Sequence, residues 1–145
     1  MKSYTYKYPR PALTVDIIVI RKTNNKKEIL LIQRLNSPFK DQWAFPGGFV
    51  DMDETLEDAA ARELEEETGL SKINLNQFKA YSEPGRDPRG HTISVVFTGS
   101  LTDISKVKAG DDAKSANWFN IDNLPLLAFD HNKIIGEALK RPGSV

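Results

Sequence analysis

The stretch from Gly48 to Leu70, GFVDMDETLEDAAARELEEETGL, constrains the fold more than any other part of the sequence. Thr55 can serve as the N-cap of a helix because its hydroxyl can accept a backbone N–H, and Asp58 three residues later completes a pattern similar to a capping box. Gly69 stands where a helix commonly ends in the left-handed conformation. Between these caps an apolar residue recurs every four positions, at Leu56, Ala60 and Leu64. The pattern predicts a helix with one face packed on a core.

A second face of this predicted helix carries three carboxylates. Glu63, Glu66 and Glu67 are related as i, i+3 and i+4, so they are neighbours on the helix surface and repel one another. Carboxylates in the last turn also oppose the negative end of the helix dipole. Arg62 can neutralise only part of this charge. A solvated acidic surface is the ordinary interpretation of such a helix, and a bound divalent cation is the alternative. Clustered carboxylate oxygens suit magnesium or manganese rather than zinc.

The order of residues in this stretch resembles the Nudix box, with a glycine, a glutamate, Arg-Glu-Leu, paired glutamates and Gly-Leu at the spacing of that family. Residues 43–48, WAFPGG, also resemble the family's approach to the box. The chain is therefore identified as a member of the Nudix hydrolases, which hydrolyse nucleoside diphosphates linked to another group with the help of a divalent metal. The resemblance implies a mixed β-sheet sandwiched between α-helices. It also implies a Mg²⁺ cofactor, with Mn²⁺ as the alternative.

The resemblance further assigns metal-binding roles to the matching positions. Glu63 and Glu67 are expected as metal ligands, and Glu66 as a ligand or as the partner of one. The backbone carbonyl of Gly47 is expected to complete the set. Arg62 is expected to orient a carboxylate through a bidentate pair, the geometry for which a guanidinium group is suited.

The catalytic base is less constrained by the box. Some family members use a box glutamate, and others use a carboxylate on a distant loop, where this chain has Asp111 and Asp112. Asp112 is the candidate for a base or an additional metal ligand, and simple turn chemistry is the alternative for this Gly-Asp-Asp sequence. Glu54, which precedes the helix, is expected to be a structural partner rather than the base. The catalytic candidates are Glu63, Glu66, Arg62 and Asp112.

Length and composition fit a single domain over residues 1–145 that can bury a core. Twenty Lys and Arg balance twenty Asp and Glu, so the charge does not favour nucleic acid or a membrane surface as a partner. The absence of cysteine excludes disulfides and thiolate chemistry. No apolar run approaches the roughly 20 residues of a membrane span, and the N-terminus lacks the apolar core of a signal peptide. A cytoplasmic protein is expected.

The remaining pattern mixes strands with a second helix. A turn at Asn24-Asn25 separates the first two predicted strands, and Asp16 within the first is expected to be a satisfied structural carboxylate. Alternating tyrosines at positions 4, 6 and 8 favour an edge strand or a tail packed on the domain. The predicted strands are Ala12–Arg21, Glu28–Arg34, Ile73–Ser82, Thr92–Leu101 and Asn117–Asn120. With a terminal helix over Asp130–Leu139, the order predicts an α+β layered domain.

The loop PGRDPRGH, residues 84–91, bears on the substrate. A proline at this distance beyond the box resembles the ADP-ribose pyrophosphatase branch of the family, as does LAFDH at residues 127–131. The resemblance implies hydrolysis of ADP-ribose to AMP and ribose 5-phosphate. Arg86 and Arg89 can hold phosphate or ribose hydroxyls, or they can pair with nearby Asp87 or Glu83. The candidates for substrate binding are Arg34, Phe45, Arg86 and Arg89.

Two alternatives to this substrate stay open. The first is another nucleotide, such as an oxidised dNTP, NADH or a dinucleoside polyphosphate. The second is a non-catalytic ADP-ribose-sensing domain. Sensors of that kind carry a winged helix, for which a chain ending at Val145 has no room, and they have little need of all three box glutamates. An enzyme is therefore expected. A homodimer is also left open, because dimerisation is common in the ADP-ribose branch.

Overall fold

Along the chain, strands both precede and follow the predicted catalytic helix. A computed structural model describes residues 2–102 and 113–141 of the chain. The strands in this part of the chain are β1 (Ala12–Thr23), β2 (Lys26–Arg34), β3 (Trp43–Ala44), β4 (Gly47–Phe49), β5 (Asn76–Tyr81), β6 (Thr92–Leu101) and β7 (Ala113–Asn120). The helices are α1 (Leu56–Thr68) and α2 (His131–Lys140).

The sheet is mixed, with β1 at its centre. The strand order is β3-β2-β1-β6-β5, β4 also pairs with β1, and β7 also pairs with β2. Strands β1 and β6 run parallel from the pair Ala12–Thr92 to the pair Arg21–Leu101. The other pairings are antiparallel. Because the parallel pair is buried on both faces, its central residues are buried even where they are polar, as at Asp16 and Ser94.

Each face of β1 packs against a different helix. Val15, Ile17 and Val19 alternate toward the cluster that contains Ala59, Ala60 and Leu64 of α1. Ile18 and Ile20 point to the opposite cluster, which contains Ile134, Ile135 and Ala138 of α2. Burying one such Val, Ile or Leu side chain contributes about 1.5–3 kcal/mol. The predicted fold class, an α+β domain with a mixed sheet between helices, is confirmed.

The local signals at the ends of these elements are also confirmed. The Thr55 hydroxyl accepts the Asp58 amide at 3.1 Å, and Gly69 adopts φ 78° while its amide donates to Glu65 at 2.9 Å. Asn24 and Asn25 have φ 49° and 64°, the left-handed pair that a two-residue hairpin turn requires. Both patterns depend only on neighbouring residues.

Several predicted boundaries differ from the structure, among them the end of β1 at Thr23 and the start of β2 at Lys26. Strand β5 begins at Asn76 rather than Ile73, because Ile73 and Leu75 pack against the α1-side core instead of alternating in the sheet. Strand β7 begins at Ala113, earlier than predicted. Residues 2–11 form no strand, so the edge-strand alternative for the tyrosines is wrong. The prolines at positions 9 and 11 lack the N–H that sheet pairing needs. Neither described helix is long and apolar enough to cross a membrane.

Candidate active site

A cavity of about 330 Å³ lies where β1, β4 and α1 meet the loop before β6 and the start of α2. Its lining carries charges of both signs, including Asp51 and Asp87. We call Asp16, Glu63 and Glu67 the acidic wall, and Arg34, Arg86 and Arg89 the basic wall. Gly47 and Gly48 lie beside the acidic wall, and the aromatic lining residues are Phe45, Phe49 and Phe129.

The two α1 carboxylates of the acidic wall are almost completely buried. Glu63 is 8% exposed and Glu67 is 5% exposed. Burial, together with the nearby carboxylates of Glu63 and Asp16, raises the pKa of Glu67 to about 9, although the Gly47 amide donates to Glu67 Oε1 at 3.0 Å. Burial also raises the pKa of Glu63, against the opposing effect of Arg62. The site thus concentrates buried carboxyl groups whose charged forms are disfavoured as long as no cation is bound.

Arg62 joins the loop before α1 to the acidic face of the helix. Its guanidinium pairs bidentately with Glu54, at 2.7 Å and 2.9 Å. It also donates to Glu63 at 2.9 Å, to Glu66 at 3.2 Å and to the carbonyl of Phe49 at 3.2 Å. These hydrogen bonds from Arg62 lower the pKa of Glu54 to about 2. Arg62 therefore fixes the direction of the helix carboxylates, and Glu54 fixes Arg62.

Two glycines allow the acidic wall to contact the backbone. A Cβ atom on Gly48 would lie 2.5 Å from Glu63 Oε1, and one on Gly47 would lie 2.2 Å from the Val15 carbonyl oxygen. The neighbours Pro46 and Val50 make the ladder bonds with β1. The amide and carbonyl of Gly47 consequently face away from β1, because these groups alternate along an antiparallel strand.

This donor set fits a hard divalent cation. Carboxylate oxygens on α1 and the outward carbonyl of Gly47 are the oxygen ligands that Mg²⁺ and Mn²⁺ prefer. In residues 2–102 and 113–141 no three His, Asp or Glu side chains already converge on one point as a closed metal cage. Arg62 and the Gly47 amide occupy carboxylate oxygens instead, so a cation would compete with them for those oxygens.

The three arginines of the basic wall have different partners. Arg86, whose side chain is 5% exposed, pairs bidentately with Asp130 at 2.7 Å and 2.9 Å rather than with Asp87 or Glu83. Arg89 pairs with Asp87 at 2.8 Å. Arg34 donates to the Pro38 carbonyl at 2.7 Å, and no ion pair joins it to a carboxylate within the described residues. Of the three, Arg34 is the cation with most capacity for an anionic ligand.

The aromatic lining includes one predicted residue, Phe45, and two that were missed, Phe49 and Phe129. Phe45 is 2% exposed and stacks on the His131 ring at 4.3 Å, so core packing takes up most of its surface. Phe129 was not singled out by the sequence, although it lies within the LAFDH segment. Its ring is 5.0 Å from the Arg34 guanidinium and 5.5 Å from that of Arg89. The sequence gives no pairing signal that would reveal these contacts.

Asp16 was interpreted from sequence as a structural carboxylate, and it is hydrogen-bonded as expected. The Ser94 hydroxyl donates to its Oδ2 atom, and His131 Nε2 lies 3.7 Å from its Oδ1 atom. It nevertheless also lines the cavity. An Asp inside the apolar run ALTVDIIVI was the signal that could have identified this position.

The structure brings most of the predicted site residues together. Those that line the cavity are Arg34, Phe45, Gly47, Glu63, Glu67, Arg86 and Arg89. Arg62 and Glu66 lie beside it and bond to each other on the same side of α1. Asp112 lies outside the described residues. The roles predicted for these residues stay predictions.

Comparison with known proteins agrees with this architecture. Residues 11–141 match the model of the NUDIX domain. The chain belongs to the Nudix hydrolase family, as the resemblance of its box implied.

Three known proteins are similar over most of the chain. The chain is 50% identical to the ADP-ribose pyrophosphatase of Methanocaldococcus jannaschii over 135 residues, which are 92% of this chain and 76% of that protein. It superposes with a TM-score of 0.87 on the NUDIX domain of Shewanella oneidensis NrtR complexed with ADP ribose, at 30% identity, covering 95% and 93% of the two chains. A bifunctional NMN adenylyltransferase/ADP ribose pyrophosphatase from Francisella tularensis, complexed with AMP and a Mn ion, gives a TM-score of 0.79 at 36% identity. The chain covers 43% of that protein, and 93% of this chain is matched.

Proposed function

We propose that the protein hydrolyses ADP-ribose to AMP and ribose 5-phosphate in a reaction that requires Mg²⁺ or Mn²⁺. The observation that carries this proposal is the single cavity lined both by the buried Glu63 and Glu67 and by three arginines. A pyrophosphate substrate is negatively charged, so an acidic wall alone would repel it. In this cavity the carboxylates would hold cations, and the arginines would bind phosphate. Such a combination suits a pyrophosphate diester as substrate. The 50% identity to an ADP-ribose pyrophosphatase supports ADP-ribose within this class.

Glu63, Glu67 and the carbonyl of Gly47 would hold the metal, with Glu66 as an additional ligand or partner. A divalent ion there offsets the charge of the phosphates and orients them. Arg62 keeps Glu63 and Glu66 directed toward the site through its hydrogen bonds at 2.9 Å and 3.2 Å. The near-complete burial of the carboxylates strengthens their attraction to a cation, because water screens it less.

Arg34 and Arg89 would bind the pyrophosphate oxygens from the basic wall. A guanidinium group offers paired donors that match phosphate geometry. Arg34 has no carboxylate partner in the described residues, whereas Arg89 would exchange part of its bond with Asp87. Arg86 is paired with Asp130. It would therefore help to position the loop that carries Arg89 rather than bind the substrate.

The hydrolysis adds water to phosphorus and breaks the bond between that phosphorus and the bridging oxygen. The attacking water must lose a proton, for which we retain Asp112 or a box glutamate as the candidate base. Residues 1–145 would form one domain that acts on a small nucleotide rather than on nucleic acid or a membrane. Homodimerisation stays a prediction, for which light scattering is the direct measurement.

The experiment that tests this function measures product release from ADP-ribose, 8-oxo-dGTP, NADH and diadenosine polyphosphates, with and without Mg²⁺. We expect metal-dependent turnover with the highest kcat/KM for ADP-ribose. A higher kcat/KM for another substrate would support the hydrolase activity and reject ADP-ribose as the preferred substrate. Turnover that continues unchanged after chelation of metal would reject the metal role.

A sensor of ADP-ribose is the second candidate, because the chain superposes closely on a NrtR domain complexed with that ligand. It predicts a different result in the same assay. ADP-ribose would then raise the melting temperature while none of the substrates is hydrolysed.

A further inference from the structure

Phe129 has an unusual backbone and an unusual position. Its φ of 53° lies in the left-handed region, which a residue with a bulky side chain seldom adopts. It follows two buried residues, Leu127 and Ala128, and immediately precedes Asp130, the partner of Arg86. This conformation places the ring at the cavity, on the same side as the basic wall. Uncommon backbone conformations of this kind occur often at functional sites.

Two guanidinium groups of the basic wall lie over this one ring. The Arg34 guanidinium is 5.0 Å from the ring centroid and that of Arg89 is 5.5 Å from it. Both distances fall within the range of a cation–π interaction, in which the negative face of the ring attracts the cation. The two arginines repel each other. Burial is the main cause of a lowered pKa of Arg34, and the charge of Arg89 is the second cause. The Phe129 ring attracts both and thus offsets part of that repulsion, whereas the Phe49 ring, at 4.8 Å from the Arg89 guanidinium, attracts Arg89 alone.

We propose that Phe129 is a positioning residue that holds Arg34 and Arg89 together as a pair and thereby sets the preference of the cavity for a diphosphate over a monophosphate. The inference rests on the proposed function in one respect, namely that the ligand of the basic wall is a pyrophosphate group. Two adjacent guanidinium groups match two adjacent phosphates, whereas separated ones would bind a single phosphate almost as well.

The surroundings of the ring argue against a role as a stacking surface for the nucleobase. Besides the two arginines, Phe39 packs on it at 4.8 Å and His131 at 5.5 Å. Contacts from Phe39, His131 and the two cations therefore occupy the neighbourhood of the ring. A planar base would have to displace at least one of them.

The test compares Phe129→Leu with Phe129→Tyr. Both replacements keep a Cβ at the left-handed position, so they share the backbone conformation of the wild type, and only the tyrosine retains an aromatic face. Phe78→Leu is the matched control. The Arg141 guanidinium lies 5.4 Å from the centroid of the Phe78 ring, and this pair is outside the cavity lining. Each variant is measured for kcat and KM with ADP-ribose and Mg²⁺. Calorimetry then gives the affinity for inorganic pyrophosphate and for orthophosphate, both with Mg²⁺ present.

We expect Phe129→Leu to raise KM about tenfold, which equals about 1.4 kcal/mol, while kcat changes less than about twofold. Its affinity for pyrophosphate should fall by a similar factor and its affinity for orthophosphate by much less. Phe129→Tyr should stay within about twofold of the wild type, and Phe78→Leu should match it. If Phe129→Leu does not fold, Phe129→Met, which keeps more of the volume, takes its place.

Unchanged pyrophosphate affinity in folded Phe129→Leu would overturn the inference, and so would equal losses for pyrophosphate and orthophosphate. A folded Phe129→Tyr that fails to recover would overturn it as well. The failure of the proposed function looks different: the wild type would not hydrolyse ADP-ribose, yet pyrophosphate would still bind and Phe129→Leu would still weaken that binding. A wild type that binds no pyrophosphate would overturn the inference itself.

Discussion

Glu67 accepts a hydrogen bond from the Gly47 amide while lying 5% exposed beside Glu63 and Asp16. Its position therefore combines burial, which disfavours a charged carboxylate, with the repulsion of neighbouring acids. A residue selected only for folding would be neutral here. The arrangement becomes favourable once a cation is bound, because the same charges then attract it.

Replacement of Glu67 by Gln should separate these two effects. We expect kcat to fall at least about 100-fold, since even partners that only support metal ligands cost 10–100-fold when lost. The free energy of unfolding without metal should stay unchanged or rise, because glutamine removes the cost of burying a carboxyl group beside Glu63 and Asp16. Activity assays at saturating Mg²⁺ and urea unfolding with a chelator measure the two quantities.

Glu65→Gln is the matched control for that variant. Glu65 lies exposed on the same helix and outside the cavity lining, so its activity should equal that of the wild type. Full turnover of Glu67→Gln at saturating Mg²⁺ would remove Glu67 from the site. Loss of activity in both variants would point to a general effect of helix charge.

At the scale of elements, the signals that predicted the structure correctly are local. The Thr55 cap, the Gly69 terminator and the Asn24-Asn25 turn each act through hydrogen bonds or backbone angles within a few residues. The same locality explains the error at the N-terminal tyrosines. Alternation alone favours a strand, but a strand also needs a partner edge, and the neighbouring prolines cannot donate to one.

Two glycines in different elements give opposite predictions when replaced by alanine. Gly48→Ala places a Cβ 2.5 Å from Glu63 Oε1, so the carboxylate must move, and we expect kcat/KM to fall about tenfold or more. Gly136→Ala, within α2, meets no atom within 4 Å and should raise the free energy of unfolding by up to about 1 kcal/mol without changing activity. Steady-state kinetics and urea unfolding of both variants give the comparison. Equal activity of Gly48→Ala and the wild type would show that the contact with Glu63 does not matter.

At the scale of the whole molecule, the sequence predicted which residues lie together at the cavity better than it predicted their partners. The box and the arginine-rich loop contain several of the charged residues that line the cavity, among them Glu63, Glu67 and Arg89. The partners of those residues lie far away along the chain: Asp130 is 44 positions from Arg86, and Ser94 is 78 positions from Asp16. Such pairs arise from the parallel alignment of β1 with β6 and from the placement of α2. No spacing rule within a single segment contains that information.

His131 connects these distant parts, and its buried ring makes the stability of the fold depend on pH. Its Nδ1 atom accepts the Phe45 amide at 3.1 Å, so the ring is neutral on that side. Burial lowers the pKa of His131 from its ordinary value near 6.5, although Asp16 and Asp130 act in the opposite direction. Below about pH 6.5 the histidine of the unfolded chain takes up a proton more readily than that of the folded protein. The stability that the neutral ring contributes is therefore present above about pH 6.5 and is lost as the pH falls toward the folded pKa.

His131→Asn tests this link, because the asparagine oxygen can still accept a hydrogen bond but cannot take up a proton. The variant should be less stable than the wild type at pH 7.5 because it loses the stack on Phe45. It should lose less stability than the wild type between pH 7.5 and pH 5.5, and the difference can reach about 1.4 kcal/mol per pH unit below 6.5. Urea unfolding with a chelator measures it. His91, the other histidine, is exposed, so His91→Asn should lose as much stability as the wild type. Identical losses of stability in His131→Asn and His91→Asn would mean that a group other than His131 sets the acid limit of the fold.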